Sequence, residues 1–257
     1  MNKAILIEIA DGVMTITMNR PEVRNALNAE GHFALHEAFE QFQADPMVRV
    51  AILTGAGSQA FCAGSDLKDR AASGGDKFPS SGFGGLCQRF DLFKPVLALV
   101  NGDCVGGGLE MVLAADLAVS VPGARFGLPE PRVGLAASGG LHRLARHIGL
   151  KPAMEIALTG RLFEAAAMEK IGVINHVAED IDGARSIAMG WARDIVKGAP
   201  LAISATKQMM LDGLKFASLS NAFGAEYPAY RAMLDSEDAQ EGTEAFLGNR
   251  DPIWRGK

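Results

Sequence analysis

Cysteine is scarce in this chain of 257 residues: Cys62, Cys87 and Cys104 are too few and too irregularly spaced for a disulfide framework or a zinc site. That scarcity points to a reducing cytoplasm. No segment carries the roughly 20 apolar residues a membrane span needs. The opening MNKAILIEIADGVMTI lacks the charged n-region, long apolar stretch and small-residue cleavage site of a signal peptide, so it reads as a first strand. Positive charge is also short. Against 30 acidic residues stand 25 Lys and Arg, leaving a net charge of -5 and no basic run that would release counterions from a nucleic acid. Neither a membrane nor a nucleic acid is an expected partner. What is present is an ordinary globular composition, 48% hydrophobic and 21% charged, long enough to bury one substantial core.

Local patterns predict strands mixed with helices, followed by helices alone. Residues 3–10 and 13–19 alternate apolar with polar or small residues across Asp11-Gly12, the signature of a two-residue β-hairpin. After the turn-like Asn19-Arg20-Pro21, Asn28 is placed to cap a helix whose apolar stripe includes Leu35, Phe39 and Phe42, ending near Asp45-Pro46. Residues 49–54 and 95–100 read as buried strands. The second leads through Asn101-Gly102 into Gly106-Gly107-Gly108 and a helix over 109–115. Strand, helix and strand in this order suggest βαβ units and an α/β fold. From about residue 180, Ile181, Ala184, Ala188, Trp191 and Ile195 repeat at three and four, and helical segments continue to about 247. With no long linker in sight, residues 1–195 form the expected core and 196–257 a helical C-terminal region of the same structural unit. Residues 71–82, AASGGDKFPSSG, show no periodicity and read as a loop, either a lid or a plain surface connection. Met209-Met210 and the set Phe83, Leu86 and Phe90 read as core.

Two glutamates hold the most chemical information. Glu110 stands just past the glycine run, and Glu130 is held between Pro129 and Pro131. Gly64 and the run 106–108 let backbone approach a ligand closely, and the free N–H groups of the helix that starts there favour anions. Two carboxylates beside such a helix start can move protons on both sides of a substrate while N–H groups hold a developing negative charge. In the first turn, Glu110 meets the positive end of the helix dipole, which favours its ionised form. Pro131 biases Glu130 toward extended backbone. From the residues alone, salt-bridge glutamates, turn glycines and a helix cap at Asp66 remain open alternatives. His142 and His147 lie with Arg143 and Arg146 on a predicted helix, where a structural or electrostatic role is expected.

Six blocks extend the reading. NRPEVRNALN (19–28), LTGAGSQAFCAGSDLK (53–68), KPVLALVNGDCVGGGLEMVLAADLAV (94–119), ARFGLPEPRVGL (124–135), GGLHRLARHIG (139–149) and EDAQEGTEAFLGNRDPIWRGK (237–257) follow one another along the chain. In that order they resemble the signatures of the enoyl-CoA hydratase/isomerase family, the crotonases. The resemblance implies an α/β crotonase fold of repeated ββα units with a helical C-terminal trimerisation region, assembling as a homotrimer or a hexamer built as a dimer of trimers. It implies reversible syn addition of water to a 2-enoyl-CoA, giving a 3-hydroxyacyl-CoA. Carried over residue by residue, the N–H groups of Ser65 and Gly107 form an oxyanion hole for the thioester, Glu110 orients and activates water, and Glu130 exchanges a proton with the α-carbon. Arg24, Ala26, Leu27, Ala63, Asp66, Leu67 and Lys68 sit where the adenine, pantetheine and phosphates of the acyl-CoA run, and Phe246 reaches the nucleotide of a neighbouring subunit. Arg24 and Lys68 are equally readable as solvated surface charges, and Phe83, Leu86 and Phe90 as lining of the acyl pocket.

The resemblance implies neither a metal nor a redox cofactor, coenzyme A entering only as part of the substrate. The same scaffold also accommodates double-bond isomerisation, dehydration of a carnitinyl-type CoA ester, or acyl-CoA binding without turnover. The presence of both glutamates favours water chemistry. Two departures from the family pattern stand out. Ala136-Ala137-Ser138 is one residue shorter than the usual stretch, and Pro131 replaces the usual aliphatic residue after the second glutamate.

Overall fold

The computed structural model describes residues 3–75 and 77–257. Met1 and Asn2, in the segment read as a first strand, and Asp76, in the segment read as a loop, lie outside the described residues. The expected hairpin forms: β1 (Ile5–Ala10) pairs antiparallel with β2 (Val13–Met18), and Asp11 and Gly12 both take the positive φ, 51° and 77°, that a two-residue turn requires. Asn28 caps α1 (Ala29–Ala44) by accepting the Gly31 N–H at 3.0 Å, and Leu35, Phe39 and Phe42 turn one face of that helix into the core.

The chain then makes three similar passes. β3 (Val50–Gly55) runs to β4 (Ala60–Cys62) and α2 (Leu67–Ser73). β5 (Val96–Val100) runs to β6 (Asp103–Val105) and α3 (Gly107–Ala114). β7 (Leu117–Ser120) runs to β8 (Arg125–Gly127), a 3-10 turn at Glu130–Val133, and the helices α4 (Leu141–Ile148) and α5 (Leu150–Thr159). β9 (Phe163–Glu164), α6 (Ala165–Lys170) and β10 (His176–Val177) complete two sheets, of six strands ordered β1-β2-β3-β5-β7-β10 and of four ordered β4-β6-β8-β9. Each pass puts its first strand in the larger sheet and its second in the smaller. Because β4, β6 and β8 are neighbours and parallel, the loops leaving their C-terminal ends emerge side by side. Those loops hold Gly64-Ser65, Gly106-Gly107 and Glu130.

α7 (Ile181–Lys197) lays Ala184, Ala188 and Ala192 against Leu97, Leu99 and Val119 of the larger sheet, and it crosses the expected core boundary at 195. α8 (Pro200–Gly213), α9 (Leu219–Phe223), α10 (Pro228–Leu234) and α11 (Glu237–Leu247) follow and pack chiefly on one another. No described helix is long and apolar enough to cross a membrane.

Three local expectations change. Residues 71–73 belong to the last turn of α2, which Gly74 ends in the left-handed conformation, so the loop is shorter than composition suggests. The helix expected from 109 begins at Gly107, because Gly106 (φ 58°) makes the turn into it. Met209 and Met210 are 37% and 70% exposed and Phe90 is 69% exposed, whereas Phe83 and Leu86 are buried. Apolar character does not bury a side chain on a helix that packs on one side only, as for the two methionines of α8, nor one in an exposed bend, as for Phe90.

Candidate active site

Glycine makes the backbone approach possible. Gly64 has φ 88°, and a Cβ there would stand 3.2 Å from the Val105 carbonyl oxygen and 3.3 Å from the Gly107 nitrogen. A Cβ on Gly107 would overlap the Phe83 ring, and one on Gly108 the Cys62 carbonyl. The loop at 63–66 is pinned to the segment at 24–27: Leu27 N–H donates to the Gly64 carbonyl and Asp66 N–H to the Leu27 carbonyl, each at 2.9 Å. That alternation leaves the Ser65 N–H out of the pairing. The Gly107 N–H, at the start of α3, lies beyond the reach of an intrahelical acceptor. Neither N–H has an acceptor among the described residues.

Glu110 is 5% exposed and accepts the Gly139 N–H on Oε1 at 2.8 Å. Burial first, then the charge of Glu130, push its carboxyl from 4.5 to about 7, against the opposing pull of the Gly139 and Gly140 N–H groups and of Arg143. This reverses the expectation drawn from the helix dipole: desolvation and a second carboxylate outweigh one helix end. Glu130 is likewise pushed up by burial, and its Oε2 is enclosed with no hydrogen-bond partner among the described residues. A Cβ on Gly106 would come within 2.8 Å of Glu130 Oε1, which places this carboxyl at the backbone turn preceding Gly107. Glu130 does not sit in extended backbone. It opens the 3-10 turn, and Pro131 is tolerated there because a first turn has no intrahelical use for the missing N–H.

The residues matched to coenzyme A form one strip. Arg24 is exposed in the left-handed conformation (φ 55°) and its carbonyl accepts the Ala63 N–H at 3.1 Å; Ala26 and Leu27 are buried beside it; Leu67 and Lys68 are exposed on α2. Asp66 caps α2 through the N–H groups of Lys68 and Asp69 and pairs with Arg20 at 3.1 Å, so the cap reading holds for it. Burial works against its charge, but those N–H bonds and Arg20 outweigh it and hold the carboxyl below its ordinary value. Phe246 is not part of this strip; it lies on α11, 85% exposed.

Two contributors escape the sequence reading. Asn25, buried and left-handed, donates to the Ala56 and Ala60 carbonyls and receives the Arg20 N–H, locking the turn before the strip. Arg143 donates to the Cys87 carbonyl at 2.5 Å and to the Gly139 carbonyl at 3.5 Å, so it braces the segment that holds Glu110. Both lie inside matched blocks; nothing in their local spacing marks them. The shortened stretch ends in the turn that delivers the Gly139 N–H. A separate groove of about 420 Å³, lined in part by Thr15, Thr17, Thr54, Asn101, Arg185 and Met189, shares no residue with this cluster.

The family model for enoyl-CoA hydratase/isomerase matches residues 8–257. A mevalonyl-coenzyme A hydratase of Beauveria bassiana is 39% identical over 257 residues, covering 95% of this chain and 91% of its own length. A carnitinyl-CoA dehydratase of Salmonella enteritidis is 41% identical over 261 residues, covering 95% of each. The solved structure of an enoyl-CoA hydratase, EchA1, from Mycobacterium marinum superposes with a TM-score of 0.92 at 37% identity over 100% of both chains. With the family model spanning nearly the whole chain and the same architecture in its relatives, this protein has the crotonase fold and belongs to the enoyl-CoA hydratase/isomerase family.

Proposed function

We propose that this enzyme adds water reversibly to a 2-enoyl-CoA, giving a 3-hydroxyacyl-CoA, with no metal or redox cofactor. The observation that supports it best is the meeting of two carboxyls, buried Glu110 and half-buried Glu130, each raised by burial, with two backbone N–H groups that have no acceptor among the described residues. In this reading the thioester oxygen accepts from Ser65 and Gly107, which stabilises the enolate as it forms. Glu110, ionised, takes a proton from water as the hydroxyl oxygen bonds to the β-carbon. Glu130 gives a proton to the α-carbon, a step that requires the pair to hold its shared proton there while Glu110 is ionised. The product keeps both hydrogens' worth of water, and the two carboxyls exchange protonation states. Mutual repulsion suits them to the task, because two close carboxyls resist being ionised together.

The strip around Arg24, Ala26, Leu27, Ala63, Leu67 and Lys68 holds the coenzyme A portion, with Asp66 supporting it through Arg20 and α2. The exposed apolar side chains of the C-terminal region fit a homotrimer or a hexamer, in which Phe246 meets the nucleotide of a neighbouring copy. A second reading, dehydration of a carnitinyl-type ester, is favoured by the carnitinyl-CoA dehydratases at about 41% identity; it uses the same groups in the reverse direction.

The test is the absorbance of the enoyl-thioester band with crotonyl-CoA. Fast loss of the band in the native protein, slowed at least ~100-fold by Glu110→Gln and by Glu130→Gln, is the expected result. No loss, with crotonyl-CoA still bound, rejects simple crotonyl hydration in favour of other acyl groups, isomerisation, or binding without turnover.

A further inference from the structure

His32 takes no part in the proton chemistry above, yet it is built into the same region. It projects from α1, is 1% exposed, and accepts the Gly84 N–H on Nδ1 at 3.1 Å. That bond sets the tautomer, with the proton on Nε2. Burial holds the imidazole at about 4, against a weaker opposing pull from Asp69, so the ring is neutral near pH 7. Nε2 is enclosed and has no hydrogen-bond partner among the described residues. An enclosed donor without an acceptor is destabilising.

Its position gives the donor a use. The His32 ring lies 4.5 Å from the Phe83 ring, centroid to centroid, and 4.9 Å from the Phe78 ring, both close to perpendicular. Phe83 packs directly on Gly107, the residue whose N–H is assigned to the thioester oxygen. One aromatic ring therefore separates the imidazole from the oxyanion donors, within reach of the far end of a short acyl chain. Phe78 covers the other side and is 44% exposed. With that much of its surface in solvent, the Phe78 ring can turn outward about its own side-chain bonds.

We infer that His32 is a specificity-determining residue: with Phe78 swung aside, its Nε2–H donates to an uncharged oxygen near the distal end of the acyl group, so the preferred substrate is an enoyl-CoA bearing a distal hydroxyl. The inference rests on the hydratase reading for where the thioester lies. A neutral N–H turns the positive end of its dipole toward the pocket, which disfavours a quaternary ammonium at the same point.

The decisive experiment compares kcat/KM for 5-hydroxypent-2-enoyl-CoA and its methyl-ended isostere, hex-2-enoyl-CoA, in the native protein, His32→Leu and His32→Gln. The native protein is expected to prefer the hydroxyl ester by at least ~10-fold. His32→Leu removes the preference by slowing that ester alone, and His32→Gln, which keeps an N–H donor, restores part of it. A native ratio near one, a ratio unmoved by His32→Leu, or faster turnover of the trimethylammonium ester crotonobetainyl-CoA overturns the assignment. If neither ester is hydrated, the hydratase reading fails on its own. Calorimetric binding of 5-hydroxypentanoyl-CoA against hexanoyl-CoA then decides the His32 assignment: tighter binding of the first, lost in His32→Leu, supports it, and equal affinities overturn it.

Discussion

Glu110 shows most directly how a site is made at the cost of stability. In the unfolded chain its carboxyl titrates near 4.5, and in the folded chain near 7. The folded state therefore binds more protons over that interval. The contribution of Glu110 to stability is complete below about pH 4.5 and is lost as the pH rises through 7, since burial then traps a charge beside Glu130. Replacing it by glutamine keeps an acceptor for the Gly139 N–H and removes the charge. Glu110→Gln is expected to be more stable than the native protein at pH 8 by about 1–3 kcal/mol, with the difference vanishing toward pH 4.5. Urea midpoints at the two pH values check this, and a variant no more stable at pH 8 would contradict the electrostatic account. A gain in stability with a loss of turnover is the signature of a functional carboxylate rather than a structural one.

At the scale of elements, α4 and the turn before it act on α3 through hydrogen bonds. Arg143 bonds the Gly139 carbonyl while the Gly139 N–H bonds Glu110, and the same guanidinium reaches the Cys87 carbonyl and lies 5.3 Å over the Phe90 ring. Among the described residues Arg143 has no carboxylate within salt-bridge distance, although Glu110 attracts its charge from farther off. Arg143→Met is expected to lower kcat for a hydrated ester about 10-fold with KM nearly unchanged, because a misplaced or misprotonated base weakens proton transfer rather than binding. Removing the cation also moves the acidic limb of the kcat profile to higher pH, and Arg143→Lys keeps that limb in place. A uniform loss with an unshifted limb would assign Arg143 to packing alone. The other charged or thiol groups near this pair are Glu130, Cys87, His147 and Lys207. Cys87, His147 and Lys207 also feel the Arg143 charge, so the comparison with Arg143→Lys, which keeps that charge, is the one that isolates its effect.

For the whole molecule, the two sheets and α7 bury two apolar clusters that meet at Val121, while the C-terminal region leaves Leu214, Leu219, Phe223 and Phe246 largely exposed. Large apolar side chains exposed together are characteristic of an association surface. Sedimentation equilibrium is expected to give the mass of three or six chains of 27.1 kDa, with a melting temperature that rises with protein concentration. A single-chain mass across the micromolar range would remove the assembly from the proposal.

Much of the chain was legible before folding, for reasons that act over a few residues. Asp11-Gly12 makes its hairpin because both residues accept positive φ, Asn28 starts α1 because its side chain reaches the Gly31 N–H, and Gly106 admits the turn that opens α3. The ordered motifs located the family, and with it the two glutamates. Only the tertiary structure decided what depends on distance between remote residues. The order of β4, β6 and β8 brings Gly64 to Gly107 and Glu130 to Gly106; burial raises both carboxyls, and the nearby charge of Glu130 adds to it for Glu110, against the helix dipole. The tertiary structure also exposed Met210 and Phe90 and enclosed the unpaired His32 Nε2. Desolvation and Coulomb energy follow from which segments the sheet order sets side by side, and residue type alone does not encode that.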